Sequence, residues 1–190
     1  MNLSSLPNLI CVLRILLAIP VVWTLVHDLF GWTLLLFVIA AISDGLDGYL
    51  AKSFGWTSEA GKVLDPVADK LLLVSVFITL TLLGLVPVWL AATVVARDLV
   101  IGIGAAVYKW LFGPIDGHPS RASKVNTVMQ ICYVIFVVAS AATPAVPGAW
   151  VLALGAATFV TTFVSGADYT MIYIRRAVAV SRKRRLAGAS

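Results

Sequence analysis

The chain has 190 residues, of which 61% are hydrophobic and only 12% charged, with a formal net charge of +5. A soluble domain of this length needs far more charge to cover its single core, so that class is excluded. The positive balance does not indicate nucleic acid, because almost every basic residue sits beside a hydrophobic block.

The apolar residues come in long blocks rather than in an alternating or amphipathic pattern. That predicts membrane-spanning helices. Lipid forces backbone groups to pair within each segment, so the expected fold class is all-α, a polytopic membrane protein of six transmembrane helices forming a single domain over 1–190. The first span is about Leu9–Val26. The preceding Met1–Asn8 lacks a basic n-region and a small-residue cleavage site, so this span is expected to remain as an anchor. Pro20 within it predicts a kink. A break at His27–Gly31 leads to the second span, Trp32–Leu50, and the polar stretch Lys52–Ser58 to the third, Glu59–Leu83. Gly84 and Pro87 mark the next turn. The fourth span, Pro87–Leu111, is followed by the longer break Phe112–Arg121. The fifth, Ala122–Ala142, and the sixth, Ala149–Ile174, flank the turn Thr143–Gly148, and a basic tail occupies about 175–190.

Lys and Arg set the orientation. The breaks at 27–31, 84–87 and 143–148 contain neither, whereas Lys52, Lys62, Lys109, Arg121, Lys124 and the tail residues Arg175, Arg176, Arg182, Lys183, Arg184 and Arg185 gather on the other side. The positive-inside rule places both termini and the two longer loops in the cytoplasm, with a bacterial plasma membrane as the expected location. The basic tail stops the last span and attracts anionic headgroups. Cys11 and Cys132 lie in apolar stretches without disulfide or metal spacing and read as packing residues. His27 and His118 are lone loop histidines and poor ligands. The run from Gly102 to Ala106 lies inside a span with no preceding strand, so it reads as close helix packing rather than as a nucleotide loop.

The acids are the informative set. Asp44, Asp47, Asp65, Asp69, Asp98 and Asp168 lie inside or at the ends of spans, where a carboxylate is costly and is a functional candidate. The bland reading is neutralisation within Asp69–Lys70 and Arg97–Asp98. Adjacent helical residues do not face each other, so neither pair is expected to neutralise itself. Asp44 and Asp47 are three apart at the end of span two, and Asp65 and Asp69 four apart in span three, so each pair falls on one helix face. The short connection lets the two faces meet. Four carboxylates in one pocket repel unless cations neutralise them, and hard oxygen ligands suit Mg²⁺, Mn²⁺ or Ca²⁺. A metal cluster just below headgroups suits phosphate chemistry on a lipid.

The string Asp44, Asp47, Gly48, Ala51, Lys52, then eight residues, then Gly61, Asp65, Asp69 resembles the signature of the CDP-alcohol phosphotransferase family, D-x2-D-G-x2-A-R, eight residues, G-x3-D-x3-D. Every fixed position matches except the family's arginine, which is Lys52 here. The resemblance implies a phosphatidyltransferase of six spans that acts on CDP-diacylglycerol and releases CMP. It implies that Asp44, Asp47 and Asp65 hold a divalent pair, Mg²⁺ or Mn²⁺, with Asp69 as a further ligand and the general base. Gly48, Ala51 and Gly61 would be small so that the CDP moiety lies against the helices, and Lys52 would neutralise nucleotide phosphate. Lys offers a point charge where arginine offers a bidentate fork, so this position bears on nucleotide geometry. The resemblance also implies membrane lipids as surroundings and, by analogy, a homodimer.

The resemblance further implies an acceptor that is a glycerol-type lipid or a glycerol phosphate. Arg97 in span four and Ser123, Lys124, Asn126 and Thr127 opening span five are polar candidates to bind it, with Asn8 and Arg14 near the pocket. The bland alternative is that Arg97 pairs with an acid on another span and Lys124 snorkels to the interface. These residues, with Gly84, Pro87, Asp98 and Gln130, look like the cardiolipin synthases that join CDP-diacylglycerol to phosphatidylglycerol. The stretch Leu64–Lys70 is shared with phosphatidylglycerophosphate synthases, which use glycerol 3-phosphate. The first acceptor is favoured over the second, and an inositol phosphate is a distant third. An ion or proton transporter is the alternative of a different class, but a transporter needs a path to both faces and the four acids cluster at one.

Overall fold

The computed structural model describes residues 6–54, 61–112 and 120–187, with side chains at 16–43, 70–108, 110, 120–172 and 175. The described residues form six α-helices and no strand: α1 (Leu6–Val26), α2 (Phe30–Phe54), α3 (Gly61–Leu82), α4 (Val88–Phe112), α5 (Arg121–Ala142) and α6 (Gly148–Ala187). Each corresponds to one apolar block of the sequence. Three described stretches are long and apolar enough to cross a membrane: Val88–Tyr108, Arg121–Ala142 and Gly148–Ile172. The described apolar parts of the first three helices, Leu16–Val26, Phe30–Ser43 and Lys70–Leu82, are shorter.

The tight turns end helices by a shared device. Asp28 after α1 and Gly84 after α3 both take the left-handed conformation, with φ of 57° and 74°. At the first turn the Leu29 N–H donates to the Thr24 carbonyl at 2.9 Å and the Asp28 N–H to Leu25 at 3.2 Å. At the second, Leu85 donates to Leu80 at 2.9 Å and Gly84 to Thr81 at 3.0 Å. These paired bonds satisfy the last carbonyls of each helix and reverse the chain within a few residues. Across the first turn the buried Thr33 hydroxyl donates to Thr24 Oγ1 at 3.0 Å, and Thr24 donates in turn to the carbonyl of Pro20 at 2.8 Å. α1 continues through Pro20 as helix. α5 starts at an N-cap, Ser120, whose hydroxyl accepts from the Ser123 N–H at 3.2 Å.

The helices close into a ring. α1 packs against α2 and α3, α2 against α5, α5 against α6, α6 against α4, and α4 against α3, while α3 also touches α5 across the middle. The interior holds Val21 and Leu25 of α1, Phe37 of α2, Val76, Phe77 and Leu80 of α3, Val94 of α4 and Val134 and Val138 of α5, all essentially inaccessible. Gly155 of α6 permits the closest approach, since a Cβ there would stand 3.1 Å from the Tyr133 ring of α5. The outside is equally apolar: Trp110, Leu82 and Leu152 are 85%, 81% and 77% exposed. An apolar exterior of this extent is what a lipid-facing surface requires.

Candidate active site

The four signature aspartates lie in two helices of the ring, Asp44 and Asp47 in α2 and Asp65 and Asp69 in α3. Helical register therefore puts each pair on one face, as the spacing requires. Their side chains, together with those of Ala51, Lys52, Asn8 and Arg14, lie outside the described ones, and of Gly48 and Gly61 only the helical backbone is described. The donor set itself, four carboxylates at helical spacing, fits a hard divalent cation and no soft one. Among the described side chains no group of three or more His, Cys, Asp or Glu comes together.

Directly after Asp69, Lys70 enters an ionic network. Lys70 of α3 places Nζ 2.6 Å from Oδ1 of Asp98 on α4. Arg97 places one terminal nitrogen 2.6 Å from the same oxygen. The other terminal nitrogen of Arg97 donates to Ser123 Oγ of α5 at 2.7 Å and to Ser165 Oγ of α6. The guanidinium also lies over the Tyr169 ring of α6, 5.9 Å from its centroid, and the Tyr169 hydroxyl accepts from the Ser120 N–H at 3.3 Å. One buried arginine thus ties α4, α5 and α6 together, and Asp98 links that knot to α3. Arg97 is only 6% exposed. Its charge is tolerable at that depth because an ion partner and two hydroxyls replace water.

This corrects the expectation that Arg97 and Asp98 cannot neutralise each other. Their backbone vectors diverge, but the guanidinium sits at the end of a long stem and folds back to the neighbouring carboxylate. Among the described residues Arg97 meets no acid of another helix; its partners there are the hydroxyls of Ser123 and Ser165. Lys70 turns to Asp98 across the helix boundary.

The residues opening α5 divide by face. Ser123 meets Arg97, whereas Lys124 is exposed. Thr127 returns its hydroxyl to the Ser123 carbonyl at 3.2 Å. Asn126 is fully buried, and its Oδ1 accepts from Thr161 at 3.1 Å and Thr162 at 2.8 Å of α6. Thr158 donates to the Met129 carbonyl at 3.2 Å. The pairs step in opposite directions along α5 and α6, so a polar seam runs down an antiparallel interface. Gln130, one turn from Asn126, is also fully buried. Asp168 is half-buried further along α6.

The contribution of α6 is not apparent from the acids and bases alone. Thr158, Thr162, Ser165 and Tyr169, with Thr161 beside the second of them, recur every three or four residues inside an apolar span. That stripe is the signal from which a polar interface can be read. On the opposite side of the ring, an open apolar groove of about 550 Å³ runs between α1 and α3, lined by Ile19, Val22, Trp23, Val26, Leu71 and Ser75. Its walls suit hydrocarbon, not phosphate.

Residues 4–180 match the model of the CDP-alcohol phosphatidyltransferase family. The chain is 32% identical over 159 residues to a human protein named cardiolipin synthase (CMP-forming), covering 75% of this chain and 52% of that one. It is 30% identical over 193 residues to a probable cardiolipin synthase of Drosophila melanogaster, covering 90% and 58%. It is 38% identical over 114 residues to a CDP-diacylglycerol–glycerol-3-phosphate 3-phosphatidyltransferase of Pseudomonas fluorescens, covering 56% of each chain. The chain spans about half the length of these relatives.

Proposed function

The chain belongs to the CDP-alcohol phosphatidyltransferase family, and from that premise we propose that it moves a phosphatidyl group from CDP-diacylglycerol to phosphatidylglycerol, forming cardiolipin and releasing CMP. The observation that carries the transfer reaction is the set Asp44, Asp47, Asp65 and Asp69, at signature spacing on α2 and α3 within the matched region. All six helices span the membrane, with both termini and the aspartates on the cytoplasmic side, where the lysines and arginines gather.

Asp44, Asp47, Asp65 and Asp69 would hold Mg²⁺ or Mn²⁺, which when bound would supply Lewis-acid stabilisation of phosphate oxygens. By the family signature Gly48, Ala51 and Gly61 would leave room for the CDP moiety, and Lys52 would neutralise its phosphates. Asp69 accepts the proton of the acceptor hydroxyl. That oxygen forms a bond to the phosphorus on the diacylglycerol side as the bond to CMP breaks, and the electron pair leaves with the CMP oxygen. The displacement needs no covalent enzyme intermediate.

Two observations support a lipid acceptor. The Arg97 guanidinium is already engaged by Asp98, Ser123 and Ser165, so it is committed within the protein rather than offered as a bidentate clamp for a soluble dianion; the exposed cations opening α5 are Arg121 and Lys124. The apolar groove between α1 and α3 likewise suits chains arriving sideways from the bilayer. The relative named for glycerol 3-phosphate transfer favours the second reading, phosphatidylglycerophosphate synthesis. Purified protein given labelled CDP-diacylglycerol with phosphatidylglycerol, glycerol 3-phosphate or inositol phosphate separates them. Cardiolipin is expected. Phosphatidylglycerophosphate formation with phosphatidylglycerol inert establishes the second reading, and absence of CMP release with every acceptor removes the transfer reaction.

A further inference from the structure

Lys70 follows Asp69 directly in α3. Its ammonium is a compact charge on a flexible four-carbon stem, able to turn toward any carboxylate in reach. The acids nearest to it in its own helix are Asp69 and Asp65, the ligands of the metal-binding reading. The structure places the ammonium 2.6 Å from Oδ1 of Asp98 on α4.

Asp98 does not need Lys70 for its own neutralisation. Arg97, 5% exposed at its side chain, already lies 2.6 Å from the same oxygen. Two cations on one carboxylate oxygen repel each other, and a pair whose lysine is 38% exposed adds little stability. The arrangement is poorly explained as a device for the benefit of Asp98 and well explained as one that holds the lysine. Arg97 anchors Asp98 by gripping α5 and α6 through Ser123 and Ser165, so the carboxylate that receives Lys70 is fixed by three helices.

We propose that Asp98 is a positioning residue that captures the Lys70 ammonium and thereby keeps a competing cation out of the adjoining aspartate site. The inference rests on the metal-binding reading of Asp44, Asp47, Asp65 and Asp69. Without Asp98, Lys70 turns back along α3 and competes with the divalent ion for those carboxylates.

The experiment measures Mn²⁺ binding to the purified full-length chain without substrate, by electron paramagnetic resonance of the free ion. Asp98→Asn is expected to bind about tenfold more weakly than wild type, the scale of one newly apposed like charge. Lys70→Gln removes the competitor while Arg97 still neutralises Asp98, and is expected to bind about two- to threefold more tightly. The double variant Asp98→Asn/Lys70→Gln is expected to return to about twofold of wild type or better. If Asp98 merely braces α3, Lys70→Gln weakens binding or leaves it unchanged and the double variant stays as weak as Asp98→Asn; either result overturns the proposal. So does wild-type affinity in Asp98→Asn. If Asp98→Asn fails to fold, Lys70→Gln decides alone. A wild-type chain that binds no Mn²⁺, or one whose binding Asp65→Asn leaves untouched, removes the metal site itself, a failure distinct from that of the proposal.

Discussion

Asn126 of α5 and Thr162 of α6 are joined by a hydrogen bond of 2.8 Å in which the threonine hydroxyl donates to the amide oxygen, both residues being fully buried. Thr161 donates to the same oxygen at 3.1 Å. Asn126 is therefore an interhelical acceptor as well as a candidate for the acceptor site. Asn126→Ala leaves both hydroxyls without that oxygen and is expected to cost about 1–2 kcal/mol, more than Thr162→Val, with a coupling of about 0.6 kcal/mol between them. Thermal unfolding in detergent measures both. The KM for the acceptor lipid is expected to stay near wild type. A raised KM with unchanged stability would place Asn126 in the acceptor site.

Chelation is expected to abolish CMP release, since four carboxylates in one site repel unless a cation neutralises them. Mg²⁺ or Mn²⁺ is expected to restore it. Full activity in chelator, with metal content verified as nil, would sink the metal site.

Asp69→Asn is expected to give a folded protein that binds CDP-diacylglycerol but turns over about 10²-fold or more slowly, the scale of lost general-base catalysis. Asp44→Asn and Asp65→Asn are expected to weaken Mn²⁺ binding as well as rate. Near-normal turnover of Asp69→Asn would remove its role as base.

Lys52 stands where the family signature has arginine. If the position serves phosphate by charge, Lys52→Arg retains activity and Lys52→Ala raises the KM for CDP-diacylglycerol. The same KM for Lys52→Ala and wild type would show that the ammonium does not contact the nucleotide.

Lys124 is exposed at the start of α5, beside Ser123 of the Arg97 network. Lys124→Ala is expected to impair use of phosphatidylglycerol more than binding of CDP-diacylglycerol. Steady-state kinetics with each lipid varied in turn separates the two, and an equal effect on both would place Lys124 outside the acceptor site.

Much of this protein is written locally. Helix positions follow from apolar blocks about as long as hydrocarbon is thick, and the breaks from residues such as Gly84 and Asp28 that accept a left-handed turn. The signature from Asp44 to Asp69 is likewise local, because the i,i+3 and i,i+4 spacings fix a face without reference to any neighbour. The ring order of the helices is not local. In a soluble helix an apolar stripe identifies the buried face, but here exposed Leu82 and Leu152 are as apolar as buried Leu25 and Leu80, so hydropathy cannot tell lipid from core. Only the packed bundle determined that Lys70 meets Asp98 of α4, that Arg97 is gripped by Ser123 and Ser165, and that Asn126 faces Thr162. These polar partners come from helices remote in sequence. They are chosen because a charge or amide removed from water must find whatever donor or acceptor the packing brings within reach.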